Sequence, residues 1–230
     1  MRKDIQASFS NDKETLDLCR KHPNAMNELK YKMEVAYDGT HYSGWQVQPN
    51  STSIQTLLQN ALGVALRKPV MIAGSGRTDA GVHALAQVAH FTVSEEVDTY
   101  RLLLSLNALL PHDIRIKSLT KVSDDFHSRY SAIGKIYHYH VHLDRLMSPF
   151  KRLYYHQVFD KIDLDLMKKA AVFFLLTHDF TFFTNEAHKK SAAINAVKTI
   201  KRLYIIARNL AACDLSLKLS VFSIKWYKAS

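Results

Sequence analysis

The stretch Lys30–Tyr37, KYKMEVAY, alternates between polar and apolar side chains. Four apolar side chains fall at every second position, namely Tyr31, Met33, Val35 and Tyr37. A period of two places them on one face of an extended chain, which is typical of a strand buried on one side. The pair Asp38-Gly39 that follows favours a turn. The segment therefore predicts a half-buried β-strand that ends in a turn.

A helical pattern comes next along the chain. Apolar residues recur at intervals of three and four, at Ile54, Leu57, Leu58, Ala61, Leu62, Ala65 and Leu66. This spacing indicates an amphipathic helix, and Thr52 with Gln55 has the spacing of a capping box at its start. Similar patterns predict further elements: strands at 70–73, 87–93, 114–117 and 135–143, and a short buried helix at 101–110.

The same order of elements recurs in the rest of the chain. One helix face is predicted from Leu164, Met167, Ala171, Phe174 and Leu175, and strands are predicted at 197–206 and 215–221. The repeated order predicts an α+β fold made of two related α/β halves. We expect antiparallel sheets, helices packed on one face and an active-site cleft between the halves. The predicted division is a polar N-terminal extension at 1–29, an N-terminal half at 30–143 and a C-terminal half at 144–230.

The composition excludes several classes of protein. The 230 residues are 47% hydrophobic and 23% charged, which is typical of a folded domain rather than a disordered chain. The longest fully apolar run, Ala170–Leu176, is too short to span a bilayer. The only cysteines, Cys19 and Cys213, form no CxxC pattern. We therefore expect a cytoplasmic protein with neither a disulfide framework nor a cysteine zinc site.

The net charge of +10 favours a polyanionic partner, most often a nucleic acid. Composition alone is equally compatible with a solvated basic surface. The distribution of the basic residues favours RNA, because those between 115 and 152 lie among several tyrosines. Basic side chains pair with phosphates, and aromatic faces stack on bases.

Three histidines, His138, His140 and His142, occupy alternate positions in the predicted strand 135–143. A row of this kind can indicate a metal site. The spacing puts neighbouring histidines about 7 Å apart on one strand face, and no carboxylate or cysteine is in phase with them. We therefore expect an exposed strand face and no metal ligands.

The segment 74–84, GSGRTDAGVHA, concentrates the reactive side chains of the chain. It holds three of the seven glycines, and they flank Arg77 and Asp79. The segment lacks the phosphate-binding pattern GxxxxGK[ST], and it lacks the dinucleotide pattern GxGxxG because Asp79 stands where the third glycine belongs. Asp79 could act as a nucleophile, a general base or a charge partner. A tight turn, in which Asp79 caps a backbone amide and pairs with Arg77, fits the segment as well.

The nine residues Gly76–Ala84 resemble the signature of the tRNA pseudouridine synthase A family. The resemblance covers the chain from about Lys30 to Ile206. Other matching segments are YDGTHYSGWQ at 37–46, QVAHF at 87–91, NALLPHDI at 107–114, FHSRY at 126–130, KIYHY at 135–139 and HDFTFF at 178–183. The segments at 126–130 and 135–139 resemble the family's Phe-His-Ala-Arg-Phe and Arg/Lys-x-Tyr-x-Tyr elements.

This resemblance implies an enzyme that isomerises uridine to pseudouridine in the anticodon stem-loop of tRNA, at positions 38 to 40. It implies no cofactor and a homodimer. It assigns the catalytic carboxylate to Asp79 and the ring that stacks on the target uracil to Tyr137. Arg77 would hold the flipped-out nucleotide and pair with Asp79. Arg129 and Lys135 are candidate RNA contacts, although Arg129 also suits a structural ion pair.

The resemblance ends after Ile206. The family continues there with a Met-Val-Arg-Asn helix whose arginine pairs with the catalytic aspartate, and no residue of this sequence matches that arginine. We therefore expect a truncated or divergent C-terminus and an incomplete C-terminal half. Two alternatives follow: a non-catalytic tRNA- or RNA-binding remnant of such an enzyme, and a marginally stable fragment without a function.

Overall fold

Two β-sheets organise the protein in a computed structural model that describes residues 28–183, 196–209 and 214–222. The first sheet has the order β2-β3-β1-β4. Its region comprises β1 (Leu29–Tyr37), α1 (Ile54–Leu66), β2 (Ile72–Gly74), β3 (Ala84–Val93), α2 (Thr99–Leu109) and β4 (Ile114–Val122). β1 pairs antiparallel with both β3 and β4, so the strand that the alternating pattern predicts lies at the centre of this sheet.

The first core forms between this sheet and its two helices. Tyr31, Met33 and Val35 of β1 are fully buried, which confirms the predicted alternation. The buried helix residues Leu58, Leu62, Leu102 and Leu106 belong to the same hydrophobic cluster. Burial of a large apolar side chain contributes about 1.5–3 kcal/mol. This cluster therefore stabilises the sheet edge from which the glycine-rich segment leaves.

The start of α1 differs from the prediction. Ser53, not Thr52, is the N-cap, and its Oγ accepts a 3.2 Å hydrogen bond from the amide of Thr56. Gln55 has no capping role, because its side-chain amide donates to the carbonyl of Ile72 at 2.8 Å. Both Thr52 and Ser53 are good capping residues in isolation. The buried position of Ser53, which is 0% exposed, decides between them.

The second sheet has the order β6-β5-β9-β8-β7. Its region comprises β5 (Lys135–His142), β6 (His156–Gln157), α3 (Leu164–Val172), β7 (Leu176–Asp179), a 3₁₀ turn (Thr181–Phe183), β8 (Val197–Asn209) and β9 (Asp214–Phe222). The pairs are antiparallel except β5 with β6, which is parallel. The fold is α+β, as predicted.

The two halves differ in how well they are packed. No residue of α3 is buried, and large apolar side chains near it are exposed, among them Phe173 at 79% and Leu176 at 75%. The predicted division at residues 143 and 144 remains a prediction; β5, which it assigns to the first half, pairs within the second sheet. Most of the predicted extension, residues 1–27, lies outside the described residues.

The row of histidines in β5 is only partly exposed. The prediction of an exposed strand face is therefore wrong at the C-terminal end of the row. His138 is exposed, whereas His142 is 4% exposed and its Nε2 lies 3.1 Å from the carbonyl oxygen of Leu146. The reason is that the chain after β5 folds back over the end of the strand, where the Tyr155 ring lies 5.1 Å from that of His140. Within the described ranges, no three potential metal ligands cluster. No helix in those ranges is long and apolar enough to cross a membrane.

Candidate active site

The glycine-rich segment connects β2 to β3 and is fixed to the end of β1 and the turn that follows it. The carbonyl of Thr78 accepts a 3.0 Å hydrogen bond from the amide of Trp45. The side-chain hydroxyl of Thr78 lies 2.9 Å from the hydroxyl of Tyr37. Further along, the amide of Gly81 donates to the carbonyl of Tyr42 at 3.2 Å. Asp79 lies between these two attachment points, so its backbone is held on both sides.

This attachment requires a glycine at position 44. The backbone of Gly44 has φ +88°, a left-handed conformation that other residues rarely adopt. A Cβ atom there would also lie 2.3 Å from the carbonyl oxygen of Thr78. Trp45, the next residue, is 3% exposed and therefore belongs to the core.

Both charged side chains of the loop face solvent. Arg77 and Asp79 are exposed. No ion pair joins them in the part of the chain that the structure describes. The carbonyl of Asp79 accepts a 3.2 Å hydrogen bond from the amide of Val82, which closes a tight turn. The turn therefore forms as the sequence allowed, and it leaves the carboxylate accessible.

His83 attaches the end of the loop to the second half of the chain. Its Nδ1 lies 2.9 Å from Oδ1 of Asp38, and its Nε2 lies 3.1 Å from the carbonyl oxygen of Leu153. Tyr154 donates a hydrogen bond to the same carboxylate. Burial alone would raise the pKa of Asp38, but hydrogen bonds from Thr40 and Tyr154 and the charge of His83 hold it well below its usual range. Asp38 therefore stays ionised.

The first residue of β5 lies against the other side of the loop. Lys135 is half-buried, and a Cβ atom on Gly76 would lie 2.0 Å from its Nζ. Tyr137, two residues further along β5, shares this strand face because side chains alternate. Its ring is 54% exposed, and partial burial raises the pKa of its hydroxyl.

Arg129 is placed by its buried neighbour Ser128. The Ser128 hydroxyl donates to the carbonyl of Ala73 at 2.8 Å and lies 2.9 Å from Nδ1 of His90. Burial, and then the positive charges of His127 and Lys30, lower the pKa of His90 to about 4. His90 is therefore neutral near pH 7. Ala73 precedes the glycine-rich segment, so this network holds the exposed Arg129 next to the start of the loop.

The structure places three of the five predicted site residues on the loop or against it. Arg77 and Asp79 lie on the loop itself, Lys135 contacts it at Gly76, and Arg129 and Tyr137 belong to the segments on either side of Lys135. The sequence did not reveal Asp38, Tyr154 or Gln87 as parts of the site. The Gln87 side chain donates to the carbonyl of Gly76 and accepts from the Ser75 hydroxyl. A polar side chain on a strand that pairs beside a glycine loop is the signal that could have identified it.

The chain is similar to one known family over much of its length. The family model described as tRNA pseudouridine synthase matches residues 33–131. The tRNA pseudouridine synthase A 1 of Protochlamydia amoebophila is 57% identical over 176 residues, which are 76% of this chain and 69% of the relative. The tRNA pseudouridine synthase A of Limosilactobacillus reuteri is 42% identical over 178 residues, 75% of this chain and 70% of the relative. The tRNA pseudouridine synthase A of Chlamydia muridarum is 42% identical over 177 residues, which are 76% of this chain and 66% of the relative.

Proposed function

The chain belongs to the tRNA pseudouridine synthase family, and on that premise we propose that it converts uridine to pseudouridine in the anticodon stem-loop of tRNA. The proposed targets are positions 38 to 40, and the proposed catalytic group is the carboxylate of Asp79. One observation carries this proposal. Asp79 is exposed on a loop whose backbone is hydrogen-bonded on both sides, through Thr78 and Gly81. A reactive group held in this way is preorganised for a substrate.

The reaction suits a carboxylate that works alone. The N1–C1′ bond of uridine breaks, the uracil turns, a C5–C1′ bond forms and the proton leaves C5 for N1. All atoms stay within one nucleotide and no electron is gained or lost, so we propose no cofactor. Asp79 can attack the nucleotide at C1′ or C6, or remove a proton from the sugar.

The target nucleotide must leave the base stack before the carboxylate can reach it. Extrusion costs a few kcal/mol. We propose that Arg77 occupies the vacated space and that the Tyr137 ring stacks on the extruded uracil. The exposed guanidinium of Arg77 and the 54% exposed ring of Tyr137 support these roles, because neither side chain is committed to the core. Contacts between basic side chains and phosphates offset the cost of extrusion.

We further propose that the protein acts as a homodimer. The support is the apolar surface of the second half, where Leu166, Val172 and Phe173 of the α3 region are each at least 64% exposed. Exposed apolar surface of this kind marks association sites. Light scattering at micromolar concentration should give twice the mass of one chain, and a monomer over that range would contradict the proposal.

The catalytic proposal is tested with unmodified tRNA transcripts. The wild-type protein should form pseudouridine at positions 38 to 40, detected by chemical mapping, and Asp79→Asn should form none while still binding the transcript. Asp160→Asn is the matched control, since Asp160 is an exposed aspartate between β6 and α3. Binding without modification by the wild-type protein would contradict the enzyme and support the RNA-binding remnant.

A further inference from the structure

The side chain of Lys135 is a half-buried cation with no counter-ion among the residues that the structure describes. Its Nζ lies against Gly76, so close that a Cβ atom on that glycine would be 2.0 Å away. Among the residues that the structure describes, none forms a hydrogen bond or an ion pair with this ammonium group. An unpaired cation removed from water is unfavourable. Its position at the catalytic loop therefore requires an explanation.

The neighbouring charges make the site more unfavourable for a cation. Burial lowers the pKa of Lys135, and the positive charges of Arg129 and Lys198 lower it further. A carboxylate at contact distance would act in the opposite direction. The site would therefore gain stability from a bound negative charge, which no described residue supplies there.

Both sides of the site are held in place. On one side, the amide of Ser75 donates to the carbonyl of Val88 at 2.8 Å, and Gln87 binds the carbonyl of Gly76. On the other side, Ser128 is 2% exposed and hydrogen-bonded to Ala73, which fixes the backbone that carries Arg129. A preorganised site loses little conformational entropy when an anion binds.

We propose that Lys135 and Arg129 bind a backbone phosphate of the RNA substrate at the Gly76 edge of the loop, an inference that rests on the proposed function. Gly76 precedes Asp79 by three residues, so this phosphate belongs to the target nucleotide or to its direct neighbour. The missing side chain at Gly76 leaves room for the ammonium group of Lys135 beside the loop backbone. Lysine and arginine are the usual partners of phosphate groups in protein–RNA contacts.

The proposal predicts a specific change in the salt dependence of tRNA binding. Each phosphate contact contributes close to one unit to the slope of log K against log salt concentration. Lys135→Gln should weaken binding of an unmodified tRNA transcript about tenfold at moderate salt and reduce the slope by about 1. Lys121→Gln is the matched control, because Lys121 lies on β4, outside the loop, and pairs with Glu96. This control should leave the slope unchanged.

A second variant tests the geometry without removing a charge. Gly76→Ala would place a methyl group where the ammonium group lies, so it should displace Lys135 and reproduce the lower slope. Gly63→Ala is its control, since the nearest atom to an added Cβ in α1 is 3.7 Å away. Circular dichroism melting verifies that each variant is folded.

The outcomes separate this inference from the function on which it rests. A wild-type slope for Lys135→Gln overturns the phosphate site, and so does weaker binding with an unchanged slope, because that indicates a structural role. The slope is measured without catalysis. If Asp79→Asn still forms pseudouridine while Lys135→Gln loses one unit of slope, the catalytic proposal fails and the phosphate site stands.

Discussion

The hydroxyl of Tyr154 donates a 2.6 Å hydrogen bond to Oδ2 of Asp38, which lies 116 residues earlier in the chain. Asp38 directly follows β1 of the first sheet, and Tyr154 precedes β6 of the second. His83, at the end of the glycine-rich loop, contacts the same carboxylate, and its ring lies 5.0 Å from the Tyr154 ring. The loop is therefore positioned by both halves of the chain.

Tyr154→Phe should lower the rate of pseudouridine formation while the protein remains folded. The variant keeps the aromatic packing against His83 but removes the hydrogen bond that joins the halves at Asp38. Small misplacements of reacting groups lower the reaction rate strongly. We therefore expect kcat to fall about tenfold although Asp79 itself is unchanged. Single-turnover assays on a tRNA transcript measure it. Tyr100→Phe, at an exposed tyrosine of α2, is the control, and equal rates for both variants would contradict a positioning role.

Acidification should destabilise the protein through His90. This histidine is 8% exposed, and its pKa falls to about 4 because of burial, His127 and Lys30. In the unfolded chain its pKa is about 6.5. Between these values the unfolded state binds the proton and the folded state does not, so stability decreases as the pH falls from 6.5 to 4. The shift sets an upper limit of about 3 kcal/mol on this loss.

Urea titrations at pH 7.0, 5.5 and 4.5 measure this dependence. His90→Gln removes the titrating group, so its stability should change less with pH than that of the wild-type protein. His41→Gln, at an exposed histidine, should behave like the wild type. A pH dependence that is the same with and without His90 would assign the effect to other groups.

Gly44→Ala should destabilise the protein and displace the loop. The left-handed backbone and the contact with the carbonyl of Thr78 both oppose a side chain at this position. We expect a decrease of more than about 1 kcal/mol in the free energy of unfolding, and a lower modification rate in the remaining folded protein. Gly63→Ala in the interior of α1 should instead stabilise by roughly 0.5–1 kcal/mol. Equal urea midpoints for the two variants would contradict this account.

The sequence predicts the elements of this fold better than their contacts. The alternation at Lys30–Tyr37 is local and results directly from burial on one side, so β1 and its buried face were predictable. The choice between Thr52 and Ser53 as N-cap depended on burial by distant residues, which the local pattern does not contain. The same is true of His142, which the later chain covers.

In the candidate site, too, the local features were predictable from the sequence and the contacts between distant residues were not. Asp79 and Arg77 were identified because the family signature is contiguous in the sequence. The contact of Lys135 with Gly76 joins residues 59 positions apart, and the hydrogen bond between Asp38 and Tyr154 spans 116. Neither pair has a periodicity or a spacing that would reveal it. Only the way in which the two sheets place their ends side by side brings these residues together.

Tyr137 offers a matched test of stacking on the target base. Tyr137→Ala should weaken tRNA binding, because loss of one base–aromatic contact costs about 1–3 kcal/mol. Tyr137→Phe should keep wild-type affinity, since the ring remains. Tyr139→Ala is the control: Tyr139 lies two residues further along the same face of β5, and its side chain is also 54% exposed. Filter binding at fixed salt measures all three. If Tyr137→Ala and Tyr139→Ala weaken binding equally, the loss comes from the strand surface as a whole and Tyr137 has no special place in the site.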